Sequence, residues 1–268
     1  MNYVTQQPIA ERVRTVLARG AAGRVEAGIL RRPLRSARVR DDGVVVLVVD
    51  VNGVSRAVGD EARVAAVGAS ATVEIVDSVC TGRCRGAAPR PSFALDGRQV
   101  ARPEGCDDDC AVIRGIVTMS GIVTASSDAR RRRLVAADGG SMGPAGGPGS
   151  LRLSELQPLE ITYLGSEGVD IVSRAELAAA PVDPIGVDEQ AWLRRIGADA
   201  AGWAARLALR AGRQIAGTDP RIVGVDGRGL DLDVGSTGGG FREVVRVPFS
   251  QVCLDSETLR AELELLGS

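Results

Sequence analysis

Ala111-Val112-Ile113-Arg114-Gly115-Ile116-Val117-Thr118-Met119-Ser120-Gly121-Ile122-Val123-Thr124 is a long β-branched run interrupted twice by glycine. Val, Ile and Thr suit a pleated, half-buried surface, so the run predicts one long strand. Glycines inside such a strand mark sharp bends that let a small sheet close into a barrel. Further strand patterns surround it, at residues 23–30, 36–40, 44–51 and 71–79 upstream and 159–163 and 169–172 downstream. Asp41-Asp42-Gly43 supplies a hairpin loop, with the glycine placed for positive φ. Val44 to Val49 lacks polar alternation, the pattern of a strand covered on both faces. Ahead of the strands, Ile9, Val13, Val16 and Leu17 recur at helical spacing between Pro8 and Gly20, which predicts an amphipathic helix. Shorter helices are expected at residues 55–66 and 128–137, and the Gly-rich stretch 138–150 is loop by composition.

A domain boundary is expected near Ala180-Pro181. Asp183-Pro184 reads as a helix N-cap followed by proline at the first helical position. Trp192, Ile196, Ala200, Trp203 and Leu207 then share one face of a single long helix ending near Gly212. Strands follow at residues 221–225, 230–234 and 242–247, the second with the alternation Leu230-Asp231-Leu232-Asp233-Val234. Asp255 caps a last helix whose Leu259, Leu263 and Leu266 lie on one side. The fold class expected is α+β, with a barrel unit over residues 1–180 and a smaller unit of helix, three antiparallel strands and helix over 181–268.

The chain has 268 residues with 33 basic and 34 acidic side chains, and all of its basic residues are arginine. With no histidine and no lysine, a Ser-His-Asp triad, an HExxH zinc site, histidine-ligated haem, a Schiff base and a P-loop lysine are all excluded. A net charge of -1 and few aromatic residues give no footprint for nucleic acid. No apolar run approaches the ~20 residues needed to span a bilayer, and the first twenty residues are amphipathic rather than signal-like, so a cytoplasmic protein is expected.

Three segments together resemble one group of proteins: the helix Glu11-Arg12-Val13-Arg14-Thr15-Val16-Leu17, the strand Arg114 to Val123, and Ala180-Pro181-Val182-Asp183-Pro184. The group is the actinobacterial one built like the haem-utilisation proteins, with a pyridoxamine-phosphate-oxidase-like, FMN-binding-type split barrel followed by a small α+β domain. The resemblance implies a homodimer in which flavin or haem would sit at the dimer interface. Members of that group carry histidines near the positions of Arg195 and Ala200, so this chain departs from them, and Cys or Tyr would be the remaining haem ligands.

Four of the five cysteines fall in residues 80–110, a connection without a regular pattern of its own. Cys80 and Cys84, and Cys106 and Cys110, form two pairs of equal spacing, which suits tetrahedral thiolate coordination of zinc or an iron-sulfur cluster. Disulfides or a thiol switch are the alternatives, and Asp107, Asp108 and Asp109 disfavour thiolate formation by their charge. Cys253 reads as a small core residue. Arg31, Arg32 and Arg35 precede a barrel strand, where related flavin proteins place basic groups against a cofactor phosphate; a solvated strand end is the plainer alternative. The loop 235–240 reads as a mobile hairpin rather than a phosphate cradle, because no helix follows it. Trp192 and Trp203 suit either a core face or stacking on a planar ligand. The function expected is a cofactor- or metal-binding protein of the haem-utilisation-like group, non-catalytic or degenerate. Two alternatives stand beside it: an FMN-dependent oxidoreductase, and a thiol or iron-sulfur redox-sensing interaction protein.

Overall fold

The computed structural model describes residues 7–20, 23–28, 30–50, 68–80, 89–95, 98–103, 111–125, 151–165, 168–197, 202–211, 220–236 and 242–267. Helix α1 (Ile9–Ala18) precedes strands β1 (Gly23–Ala27), β2 (Leu30–Val39), β3 (Val45–Asp50), β4 (Ala69–Cys80), β5 (Pro89–Leu95), β6 (Arg98–Pro103), β7 (Ala111–Ala125), β8 (Leu151–Gly165) and β9 (Gly168–Ile171). One antiparallel sheet runs β3-β2-β1-β4-β7-β8-β9, and β8 also pairs with β3. Six strands therefore close into a barrel, with β9 as a seventh strand on its rim. The turn at Asp41-Asp42-Gly43 forms as expected, with Gly43 at φ +76°.

Alternate residues of each barrel strand point inward, as strand periodicity requires. Val25, Leu47, Val73, Ile75, Val117, Met119 and Ile161 fill the interior, and Val13, Val16 and Leu17 of α1 close it. The barrel is thus a packed core rather than a ligand cavity. Both glycines of β7 stand at irregularities. The β7–β8 register shifts between Ser120 and Gly121, where a Cβ would lie 2.1 Å from the Gln157 carbonyl oxygen. The β4–β7 register shifts at Asp77, which faces Gly115 while Ser78 faces Ile113, so Arg114 is the extra residue of a β-bulge.

The second half contains α2 (Arg174–Ala179), α3 (Pro184–Val187), α4 (Glu189–Gly197), α5 (Trp203–Arg210), β10 (Arg221–Asp226), β11 (Gly229–Ser236), β12 (Arg242–Pro248) and α6 (Ser256–Gly267). Strands β10, β11 and β12 form an antiparallel sheet of their own, and a second core gathers Leu207, Val223, Leu230, Leu232, Phe249, Cys253 and Leu259. Asp183 caps α3 by accepting from the N–H groups of Ile185 and Gly186, and Asp255 accepts from those of Glu257 and Thr258 at the start of α6.

Several elements differ from their sequence patterns. Of the single helix expected over 192–212, the described residues form α4, ending at Gly197, and α5, starting at Trp203 after Gly202, and glycine at such positions weakens helix propagation; Ala200 lies outside the described residues. Strand β2 begins at Leu30, ahead of the expected strand start, and so includes Arg31 to Arg35, because residues Leu30 to Leu34 pair with β1. Strand β8 starts at Leu151, because it must span both β7 and β3. On β3, Val46 and Val48 are only half-buried, so one face is less covered than the apolar run suggested. The insertion 80–110 has a regular part after all, the β5–β6 hairpin. The helices expected at 55–66 and 128–137 and the loop at 138–150 lie outside the described residues.

Replacing Gly121 with valine forces the Cβ into the Gln157 carbonyl. Thermal or urea unfolding should show a loss of about 1–3 kcal/mol, whereas an unchanged midpoint would mean that the bend tolerates a side chain.

Candidate functional site

Asp77 follows Val73 and Ile75 on the inward-facing row of β4, so its carboxylate lies at the end of an apolar barrel and is fully buried. A buried charge of this kind persists only when it is paired and hydrogen-bonded. Three guanidiniums surround it: Arg12 (3.3 Å) and Arg19 from α1, and Arg114 (2.8 Å) from the bulge of β7. The Tyr163 hydroxyl donates to its second oxygen at 3.2 Å. Gly115 makes room for that phenol, since a Cβ there would lie 2.3 Å from the Tyr163 oxygen.

The same arginines reach across to the second half of the chain. Glu189 of α4 binds Arg19, accepts from Arg114 Nη2 at 2.7 Å, and accepts from the Val225 N–H of β10 at 2.9 Å. Asp231 lies 3.7 Å from Arg114 and 2.9 Å from Arg246, which also binds Asp226. Four arginines thus meet four carboxylates at the junction. Gly224 lets β10 approach, because a Cβ there would lie 2.5 Å from both Arg114 Nη1 and Asp231 Oδ2. Further contacts tie the two halves around this centre. The Asp183 N–H donates to Thr15 of α1 (3.0 Å), its carboxylate accepts from the Gly227 N–H (2.7 Å), and Arg228 binds Glu11 (3.2 Å).

Burial alone would raise the Asp77 carboxyl, but Arg114, Arg19 and Arg12 outweigh it and hold it well below the usual carboxylate range. Asp231 is likewise buried yet lowered, by Arg246, Arg12 and Arg114. Tyr163 is pushed well above its ordinary value by burial and by the charge of Asp77, so it stays a neutral hydroxyl donor. The space lined by Arg12, Arg19, Asp77, Arg114 and Glu189 measures about 20 Å³, room for a water and for no substrate. This cluster is a structural tie between barrel and C-terminal module.

Open apolar surface lies on the outer face of the sheet. Register places Arg24, Glu74, Thr118, Thr162 and Ile171 in one outward row across β1, β4, β7, β8 and β9, with Val76, Ile116, Leu164 and Val169 in the next. At the β1–β2 end the face is charged, with Arg24 bound to Glu74 (3.0 Å) and Arg31 to Glu26 (3.3 Å). At the β8–β9 end it is apolar and open: Leu164, Val169 and Ile171 are 48%, 65% and 76% exposed.

The arginines singled out from the sequence divide between two faces. Arg31 and Arg35 are exposed on the outer side of β2, while Arg32 pairs across from the inward Val25 and is partly buried. Cys80 ends β4 opposite Ala111. Cys84, Cys106 and Cys110 lie outside the described residues. Among the described residues no group of Cys, Asp and Glu converges as a metal site, so zinc or iron-sulfur binding has no support there. Cys253 is buried in the second core as expected, its thiol pushed up to about 11 by burial and Glu262.

With this geometry in view, comparison with solved structures identifies the architecture. A haem-binding protein from Mycobacterium smegmatis matches with a TM-score of 0.54 over 98% of each chain at 19% identity. The fold is a split barrel with a smaller α+β module. A protein of unknown function from Agrobacterium tumefaciens, Atu2129, aligns over 99% of this chain and 100% of its own at 17% identity and a TM-score of 0.32. No family model matches the chain, and no curated protein does. Among the described residues no helix is long and apolar enough to cross a membrane.

Asp77→Asn leaves three guanidiniums around a neutral group. Urea unfolding at neutral pH should show a loss of about 3–5 kcal/mol. The Asp77 and Asp231 carboxyls are lower in the folded chain than in the unfolded one, so their stabilisation is complete above the unfolded values near 4. It is lost as pH falls below that range, and the acid limb of the stability profile should flatten in the Asp77→Asn variant.

Proposed function

We propose that the chain is a non-catalytic or degenerate cofactor-binding protein that holds a planar anionic cofactor, haem or flavin mononucleotide, on the outer barrel face where two copies meet. The observation that carries this reading is the face itself. The barrel interior is filled, so a cofactor has only the outside to bind, and that outside joins exposed arginines on β2 to the open apolar surface of β8 and β9. Burial of Leu164, Val169 and Ile171 against a second copy would remove water from that surface, which is the main driving force for association. The fold likeness to a haem-binding protein over the whole chain agrees with the proposal.

Fit to each group can be judged from the residues present. Arg31 and Arg35 suit the phosphate of a flavin or the carboxylates of haem, because guanidinium matches such anions with two parallel hydrogen bonds. Iron ligation fits less well. The chain has no imidazole, and Tyr163 is buried and committed to Asp77. By the described residues of this face, haem would be held at its periphery, and a flavin would supply hydride or electron chemistry of its own if it bound. The buried acids of the junction are all paired with arginine, which supports a binding rather than a catalytic role. The four cysteines remain a separate proposal for zinc or iron-sulfur in the insertion, to be decided by elemental analysis.

Haem and flavin mononucleotide, titrated separately into the purified chain and followed by absorption and by sedimentation, test the reading. One of them should bind saturably to a dimer, and the Arg31→Ala/Arg35→Ala variant should bind about tenfold more weakly. Leu164→Glu with Val169→Glu should give a folded monomer that has lost the cofactor. Binding of neither compound, or binding unaffected by all four substitutions, would remove the outer face as the site.

A further inference from the structure

A second surface, remote from the barrel face, has the makings of a ligand site. Helices α4, α5 and α6 enclose an open groove of about 410 Å³, within the size range of small-molecule pockets. Its apolar lining comes from Trp192, Ile196, Trp203 and Leu263. These are the only two tryptophans of the chain. The indole Nε1 of Trp203 is shielded from solvent and has no hydrogen-bond partner among the described residues. A buried indole N–H ordinarily finds an acceptor, and this one, beside Gly267 at the edge of the groove, has none among the described residues.

The charges around the groove point to the sign of that ligand. Arg195, Arg206 and Arg260 line it, against a single carboxylate, Glu264. Arg195 stacks over the Trp192 ring at 4.9 Å and Arg206 reaches the Gly267 carbonyl at 3.5 Å. Unlike the arginines of the junction, none of the three forms an ion pair among the described residues. Aromatic walls, unpaired guanidiniums and an unused donor are together the chemistry that recognises a flat, negatively charged molecule.

We propose that this groove binds a small planar aromatic anion, with its rings against Trp192 and Trp203 and its carboxylate or sulfonate on the guanidiniums and the Trp203 N–H. The proposal is independent of cofactor binding on the barrel. Because both tryptophans line the groove, tryptophan emission reports its occupation directly. The full chain is titrated with 1-anilinonaphthalene-8-sulfonate and, separately, with its uncharged analogue N-phenyl-1-naphthylamine. Saturable energy transfer from tryptophan is expected with the anion, with at least tenfold weaker binding of the neutral compound. Arg195→Ala/Arg260→Ala, at exposed positions, should weaken the anion about tenfold without changing the circular dichroism, and Trp203→Phe should weaken it while leaving the groove apolar. The Arg31→Ala/Arg35→Ala variant should bind it unchanged. Equal binding of both compounds, no saturable transfer, or anion binding unaffected by the Arg195 and Arg260 substitutions would overturn the proposal.

Discussion

A single carboxylate at the closed end of an apolar barrel constrains much of the molecule. Asp77 occupies an inward position where the preceding residues of the same row are Val73 and Ile75, and it is stable there as a charge only because Arg12, Arg19 and Arg114 converge on it. Each partner imposes something on the fold. Arg114 reaches it from a β-bulge in β7, which explains the irregular register at that point. Arg12 and Arg19 fix α1 over the barrel end. Arg114 and Arg19 also bind Glu189, so the charge that needed neutralising in the barrel ties down the first long helix of the second half. Removing one member leaves its partners buried with their charge only partly compensated, which is why such networks resist piecemeal change.

This arrangement separates structure from function on the molecule. The polar centre is closed and saturated, with space for about one water, and the barrel interior is filled by aliphatic side chains. The open surfaces lie outside: the strand face with arginines at one end and an apolar hairpin at the other, and the tryptophan groove of the C-terminal helices. A filled interior holds those rows in register, and the glycines at 115, 121 and 224 provide the close approaches that the register demands.

Most of the architecture was legible because it rests on local signals. The glycine-interrupted run of β7, the Asp41-Asp42-Gly43 turn, the Asp183 and Asp255 caps and the alternation of β11 each act within a few residues. Features that failed were those decided by distant partners. Arg31 to Leu34 are in a strand because β1 pairs with them, and the alternation of that pairing turns Arg32 to the opposite face from Arg31. The junction cluster was not read at all, since Arg114 meets Asp77 across 37 residues and Glu189 across 75. One signal was present: in Val73-Glu74-Ile75-Val76-Asp77 the acid falls on the apolar parity of the strand, which marks a buried carboxylate in need of cations.

Hydrogen–deuterium exchange of the chain, with and without saturating haem or flavin mononucleotide, locates the cofactor most directly. Binding on the outer barrel face predicts added protection in residues 23–39 and 159–171, with residues 189–210 unchanged. Protection confined to the helices of the second half, or absent from β1, β2, β8 and β9, would contradict it.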